Sequence, residues 1–275
     1  MDQKTTEYQY VKGQMREHFA ALLSSFEKRS IEALNSDGWE IDVPYGSHAR
    51  ELFDVKPAGA NARGTIIYFH AGYWQARDKS QFRFLASAFN DLGWHFALVN
   101  YPLCPEVSIA DIVNSAMRSV QSIDKHQRAH HRDGQVVLCG HSAGAHLAVE
   151  LALRKDQLPT PSVAGVIAIS GIFELQPLIT TTLNERLKLD QIKAQAYSPL
   201  FRVSKALAPA LFIVGESETL AFHMQSQEMA LQWKIHGNSS EFQLIQDADH
   251  FLVLEKMMGK AGVFNNFCNE FLLRA

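Results

Sequence analysis

Short apolar runs rich in β-branched and aromatic residues recur along the chain, with helical stretches between them. They are residues 64–69 (GTIIYF), 95–100 (HFALVN), 135–139 (QVVLC), 163–170 (VAGVIAIS), 210–214 (ALFIV) and 241–245 (EFQLI). Short, nearly continuous apolar runs predict strands covered on both faces. The clearest intervening helix places Ile109, Ile112, Val113, Ala116, Met117, Val120 and Ile123 on one stripe. Strands that alternate with amphipathic helices predict an α/β fold, a mostly parallel central sheet flanked by helices. Upstream, residues 39–45 and 50–56 flank Gly46-Ser47-His48 and predict an N-terminal hairpin. Phe19, Leu22, Leu23 and Phe26 stand at helical spacing, so the first thirty residues predict one amphipathic helix and residues 1–35 a helical extension. Residues 172–202 contain no strand pattern and predict a small cap running over the sheet edge. No repeat or linker divides the chain, and residues 1–275 read as one domain.

Composition narrows the classes of function. The 275 residues are 47% hydrophobic and 20% charged, as in ordinary soluble domains. Lys and Arg number 26 against 29 Asp and Glu, so there is no basic surplus for a phosphate backbone, and nucleic acid is not an expected partner. Cys104, Cys139 and Cys268 are too widely spaced for a disulfide framework or a CxxC metal site. No apolar signal core opens the chain and no apolar window is long enough to span a membrane. The expectation is a cytoplasmic protein with a small-molecule substrate, with a homodimer as the candidate assembly.

In open α/β sheets, reactive groups collect in the loops at the carboxyl ends of the strands. The run 135–139 leads into Gly140-His141-Ser142-Ala143-Gly144, and a helical stretch follows. This is G-x-S-x-G at a strand-to-helix turn, so tight that a side chain at either glycine would clash. It lifts the serine hydroxyl above a helix N-terminus, whose partial positive charge favours a developing oxyanion.

A serine hydroxyl is a poor nucleophile without a base and an orienting acid, which on this kind of sheet follow in the order acid, then histidine. Downstream of Ser142 lie His146, His223, His236 and His250. His146 falls one turn into the helix after the elbow, and His223 and His236 fall in a later helix and at its end. His250, in Asp247-Ala248-Asp249-His250-Phe251, follows the last strand and is the expected base. The acid should leave the strand before it, which continues into Gly215-Glu216-Ser217-Glu218. Glu218 is the first choice, Glu216 its rival, and Asp247 and Asp249 are outsiders. The loop His70-Ala71-Gly72-Tyr73-Trp74 follows an earlier strand. Its Gly72 and Tyr73 amides, with that of Ala143, are the expected oxyanion hole.

Two other groups carry less weight. His126, His130 and His131 could reach a metal from a helix end, but Lys and Arg surround them and the run 125–132 holds no carboxylate ligand, so no metal is expected. The glycines form no phosphate-binding loop, so no cofactor is expected.

With these residues in place, the chain resembles the α/β-hydrolase superfamily, and within it the arylformamidase (kynurenine formamidase) branch. The resemblance rests on His70-Ala71-Gly72-Tyr73-Trp74-Gln75, where that family has an HGGYW turn, and on Gly140-His141-Ser142-Ala143-Gly144-Ala145-His146-Leu147-Ala148. Asn100-Tyr101-Pro102-Leu103-Cys104-Pro105, Ser170-Gly171-Ile172-Phe173-Glu174-Leu175 and Asp249-His250-Phe251 also match, and the likeness spans residues 40–274. Ala71 departs from the family glycine, and Glu218 stands where many relatives carry Asp. The resemblance implies a metal-independent serine hydrolase acting on a small N-formyl aryl amide. A short-chain carboxylesterase is the nearest alternative, and a non-catalytic binding module a distant one. Trp74, His141 and Phe173 are expected to contact the substrate, Trp74 as an aromatic wall for the arylamine.

Overall fold

The computed structural model describes residues 2, 4–158, 163–258 and 262–270. Eight strands form one sheet: β1 (Glu40–Pro44), β2 (Leu52–Lys56), β3 (Gly64–Phe69), β4 (His95–Val99), β5 (Gln135–His141), β6 (Val163–Ile169), β7 (Ala210–Gly215) and β8 (Ser240–Ile245). Their spatial order is β1-β2-β4-β3-β5-β6-β7-β8. The β1–β2 hairpin is antiparallel and joins β4 antiparallel, while all later pairings are parallel.

Each central strand divides its side chains between two cores, as a period of two requires. Ile67, Phe69, Leu138, Val166, Ala168, Phe212 and Val214 face one side. Ile66, Tyr68, Val137, Cys139, Ile167, Ile169, Leu211 and Ile213 face the other. The described helices are α1 (Thr6–Tyr10), α2 (Phe19–Ala33), α3 (Ala86–Asp91), α4 (Ile109–Ala129), α5 (Ala143–Leu153), α6 (Asn184–Leu187), α7 (Gln191–Ala196), α8 (Leu220–Ile235), α9 (Val253–Lys256) and α10 (Val263–Glu270). The first core is covered by α4, α5 and α8, the second by α2, α3, α9 and α10. Helix α4 carries the stripe read from the sequence, and its start is fixed by a capping box between Ser108 and Asp111.

One expectation changes. The N-terminal stretch is not one helix: α1 and a 3-10 turn over Lys12–Gln14 precede α2. The break comes where the chain docks on the start of α8. Thr219 Oγ1 donates to the Gln9 carbonyl at 2.6 Å and accepts from Gln14 Nε2 at 2.8 Å. The Phe19, Leu22, Leu23 and Phe26 face then lies on the second core. The strand-free stretch from 172 to 202 holds short helical pieces at Gln176–Thr180, α6, α7 and Pro199–Phe201.

At the hairpin side, Asp54 and Lys79 are buried with each other at 2.5 Å, and Arg83 reaches the second oxygen of Asp54 at 2.7 Å. Multiple charge-assisted bonds are what allow such ions to stay out of water.

Candidate active site

Ser142 sits between β5 and α5 with φ +56° and ψ −118°, a conformation that non-glycine residues rarely adopt and that is retained mostly at functional sites. The two glycines around it are spatially compulsory. A Cβ on Gly140 would lie 2.1 Å from the Gly144 carbonyl oxygen, and one on Gly144 would lie 1.9 Å from that of Phe69. The Ser142 amide donates to the Ile169 carbonyl at 2.8 Å, tying the turn to the end of β6. Its hydroxyl is buried and makes no hydrogen bond to the described residues.

His250 lies in the loop after β8. Its Nδ1 is 2.6 Å from Glu218 Oε2, in a pair whose side chains are 4% and 0% exposed. The other oxygen of Glu218 accepts from Ser170 Oγ at 2.5 Å and from the Gly215 amide at 2.8 Å. Both oxygens are therefore engaged and the carboxylate is held in one orientation. Its rivals are turned elsewhere. Glu216 accepts from the Asp247 amide, and Asp247 itself is exposed near Lys256. Asp249 accepts from the amides of Phe251 and Leu252 and from His18. Burial would raise the Asp249 pKa, but these donors hold the carboxyl below its ordinary value.

Ser142 and His250 open into one cavity of about 180 Å³. Ala71, Gly72, Tyr73, Ala76 and Arg77 line it from the loop after β3, and Phe251 lines it from the loop after β8. Gly72 has φ +127°, and a Cβ there would meet the Ala76 carbonyl oxygen at 2.1 Å. Ala143 is the first residue of α5, so its N–H is among those with no acceptor inside the helix.

The remaining lining residues, Val11, Gln14, Met15 and Phe19, come from the N-terminal segment and escaped the sequence reading. Helical periodicity marks Phe19 as apolar but says nothing about which strand ends it will cover.

Three residues expected at the substrate do not line this cavity. Trp74 is fully buried, edge-on to the His146 ring at 5.0 Å. Positive φ at both Tyr73 and Trp74 turns the chain so that Tyr73 borders the cavity while Trp74 enters the core. Phe173 packs edge-to-face on Phe212 inside the same core, 5.7 Å between centroids. His141 is fully buried behind His250, its Nε2 2.6 Å from the His250 carbonyl oxygen. Since a carbonyl can only accept, that nitrogen carries the proton. Burial, then the neighbouring His250, pushes the His141 pKa well below its usual value.

Away from the cavity, β1 supplies the carboxylate that sequence proximity did not show. Glu40 lies with His126 and His130 within metal-ligand reach, while His131 is not part of the group. Burial would raise the Glu40 pKa, but hydrogen bonds from Arg132 and His126 hold it below its ordinary value. These partners give the cluster a structural explanation as an ion-paired tie between β1 and α4.

A family model for the alpha/beta hydrolase fold matches residues 66–194. The kynurenine formamidase of Danio rerio is 32% identical over 255 residues, covering 89% of this chain and 84% of that protein. That of Salmo salar is 30% identical, covering 79% and 76%. The chain belongs to the kynurenine formamidase family of α/β hydrolases. Among solved structures, a Silicibacter protein assigned as a thioesterase superposes with a TM-score of 0.80 at 28% identity, covering 93% of this chain and 94% of the other. An esterase from Pyrobaculum calidifontis shares the fold at 17% identity and a TM-score of 0.68, covering 89% and 88%. Membership makes the protein a hydrolase.

Proposed function

We propose that this family member hydrolyses N-formylkynurenine, or a closely similar N-formyl arylamine, to formate and the free amine through a formyl-enzyme on Ser142. The observation that carries the reading is the shared cavity of Ser142 and His250, with Glu218 2.6 Å behind the imidazole. The cavity is lined by Phe19, Tyr73 and Phe251, which offer aromatic surface to an arylamine, and a formyl group needs almost no acyl space.

In this reading, Ser142 Oγ bonds to the formyl carbon while its proton passes to His250 Nε2. Glu218 fixes the imidazole tautomer and stabilises the imidazolium. The amides of Gly72, Tyr73 and Ala143 hold the oxyanion. When the C–N bond breaks, His250 returns the proton to the leaving nitrogen. Water, deprotonated by His250, then attacks the formyl ester and releases formate and Ser142. No step calls for a metal or a cofactor.

The wider picture is one domain over residues 1–275, with residues 1–35 as an extension and 172–202 as a small cap. It works in the cytoplasm, with a homodimer as the candidate assembly. Three free, buried cysteines fit a reducing compartment, and none of the described helices is long and apolar enough to cross a membrane.

The test is formate release from N-formylkynurenine by the wild type and by Ser142→Ala, with p-nitrophenyl acetate as the ester control. Turnover of the formamide that vanishes in the variant supports the reading. Ester hydrolysis without formate release replaces it with a short-chain carboxylesterase that keeps the same nucleophile.

A further inference from the structure

Arg77 is a cation on the wall of the Ser142 cavity. Its guanidinium carbon lies 5.8 Å from the Phe19 ring and 5.9 Å from the Phe251 ring, between two other lining residues. Its stem packs against the oxyanion turn, since a Cβ on Gly72 would come 2.9 Å from Arg77 Cγ. The backbone has φ +76°, a strained conformation for arginine that the fold nevertheless retains at this position.

Among the described residues, no carboxylate comes within ion-pair distance of Arg77. Glu27 acts on it only through its charge and accepts a hydrogen bond from Gln81. Burial lowers the Arg77 pKa, yet guanidinium remains charged at any working pH. Two cations of the N-terminal segment are engaged elsewhere. Arg16 donates to the Ser217 carbonyl, and His18 pairs with Asp249 at 2.6 Å. The Asp249 carboxylate is turned to His18 and to the amides of Phe251 and Leu252.

A half-buried guanidinium without a counter-ion loses hydration and gains no ion pair in return. A ligand that brings a carboxylate into the cavity would supply both the charge and the acceptors, in the geometry a guanidinium fork matches. We propose that Arg77 binds the carboxylate of the substrate while Ser142 attacks its formyl group, so that the enzyme selects carboxylate-bearing N-formyl arylamines over neutral ones. The inference rests on the formamidase reading and narrows its substrate class. The amino-acid carboxylate of N-formylkynurenine fits it, whereas N-formylaniline offers nothing for Arg77 to hold.

Formate release from N-formylkynurenine and from N-formylaniline is measured for the wild type, Arg77→Gln and Arg77→Lys. The Gln variant lowers kcat/KM for N-formylkynurenine about ten- to hundredfold more than for N-formylaniline, chiefly through KM, and Lys recovers part of the loss. An equal loss on both substrates marks Arg77 as a packing residue and overturns the proposal, as does no loss on N-formylkynurenine. In parallel, kynurenine and the uncharged 2-aminoacetophenone are compared as inhibitors of p-nitrophenyl acetate hydrolysis. The variant weakens inhibition by kynurenine at least tenfold more than inhibition by the neutral ketone. Equal weakening overturns the proposal whichever substrate turns over. Selective weakening without formate release from either formamide supports Arg77 as a carboxylate site and removes the formamidase reading alone.

Discussion

His141 Nε2 donates to the carbonyl oxygen of His250 at 2.6 Å, and the two rings lie 4.7 Å apart. One residue of the elbow thus holds the backbone of the loop that carries the imidazole. The elbow and His250 are therefore tied to each other through a buried bond. Losing the donor would leave a buried carbonyl unsatisfied. In His141→Leu, kcat should fall about ten- to hundredfold with little change in KM, and His141→Gln, which keeps an N–H donor, should retain more activity. Steady-state kinetics on one substrate across the three proteins decides this. A rise in KM at constant kcat would point to substrate contact instead.

Ser142→Ala should lose about 10⁴- to 10⁶-fold in kcat while keeping the wild-type far-UV spectrum and melting temperature. A fluorophosphonate probe should label the wild type once and the variant not at all. Labelling at another residue would reassign the nucleophile.

Burial depresses two structural histidines, His70 to about 4 and His146 to about 3. Hydrogen bonds to the Ala71 and Tyr197 carbonyls act in the opposite direction and do not offset it. Both are neutral when folded but take up a proton near pH 6.5 when unfolded. Their contribution to stability is complete above pH 6.5 and is lost as the pH falls toward the folded-state values. For His70, the loss by pH 4 is about 3 kcal/mol at 1.36 kcal/mol per pH unit. Urea midpoints should therefore drop steadily from pH 7 to pH 5, and His146→Gln should make that slope shallower. A midpoint independent of pH over this range would contradict the assignment.

A site suited to a formyl group predicts an ester-chain limit. Activity on p-nitrophenyl esters should fall from acetate to hexanoate, by roughly ten- to two-hundredfold for each misfit. Trp74→Ala should leave that order intact and instead destabilise the fold by about 3–5 kcal/mol, because Trp74 is core and not wall. Chain-length profiles and denaturation curves of the same variant separate the two roles.

Much of this arrangement was legible in the chain. The β3 to β8 runs are apolar and bounded, and the Gly140–Gly144 motif announces its own geometry. The order of Ser142, acid and His250 follows from the order of the strands. What escaped depended on dihedrals and on long-range contact. Glu216 and Glu218 differ only in where one turn after β7 points them. Trp74 left the site because two successive residues adopt positive φ, which no pattern of hydrophobicity records. Glu40 meets His126 across 86 residues of sequence, and Gln14 meets Thr219 across 205, so neither partnership had a local signature.

The His18–Asp249 pair joins positions 231 residues apart. During synthesis, His18 and the cavity-lining residues before it leave the ribosome well before the loop they must cover. At about 5–20 residues per second, the interval is roughly ten to fifty seconds. Through that time the apolar face of α2 has no final partner, and Ser142 stands without His250. The cavity that Ser142 and His250 share is therefore completed only once the loop after β8 has docked, long after its N-terminal wall exists.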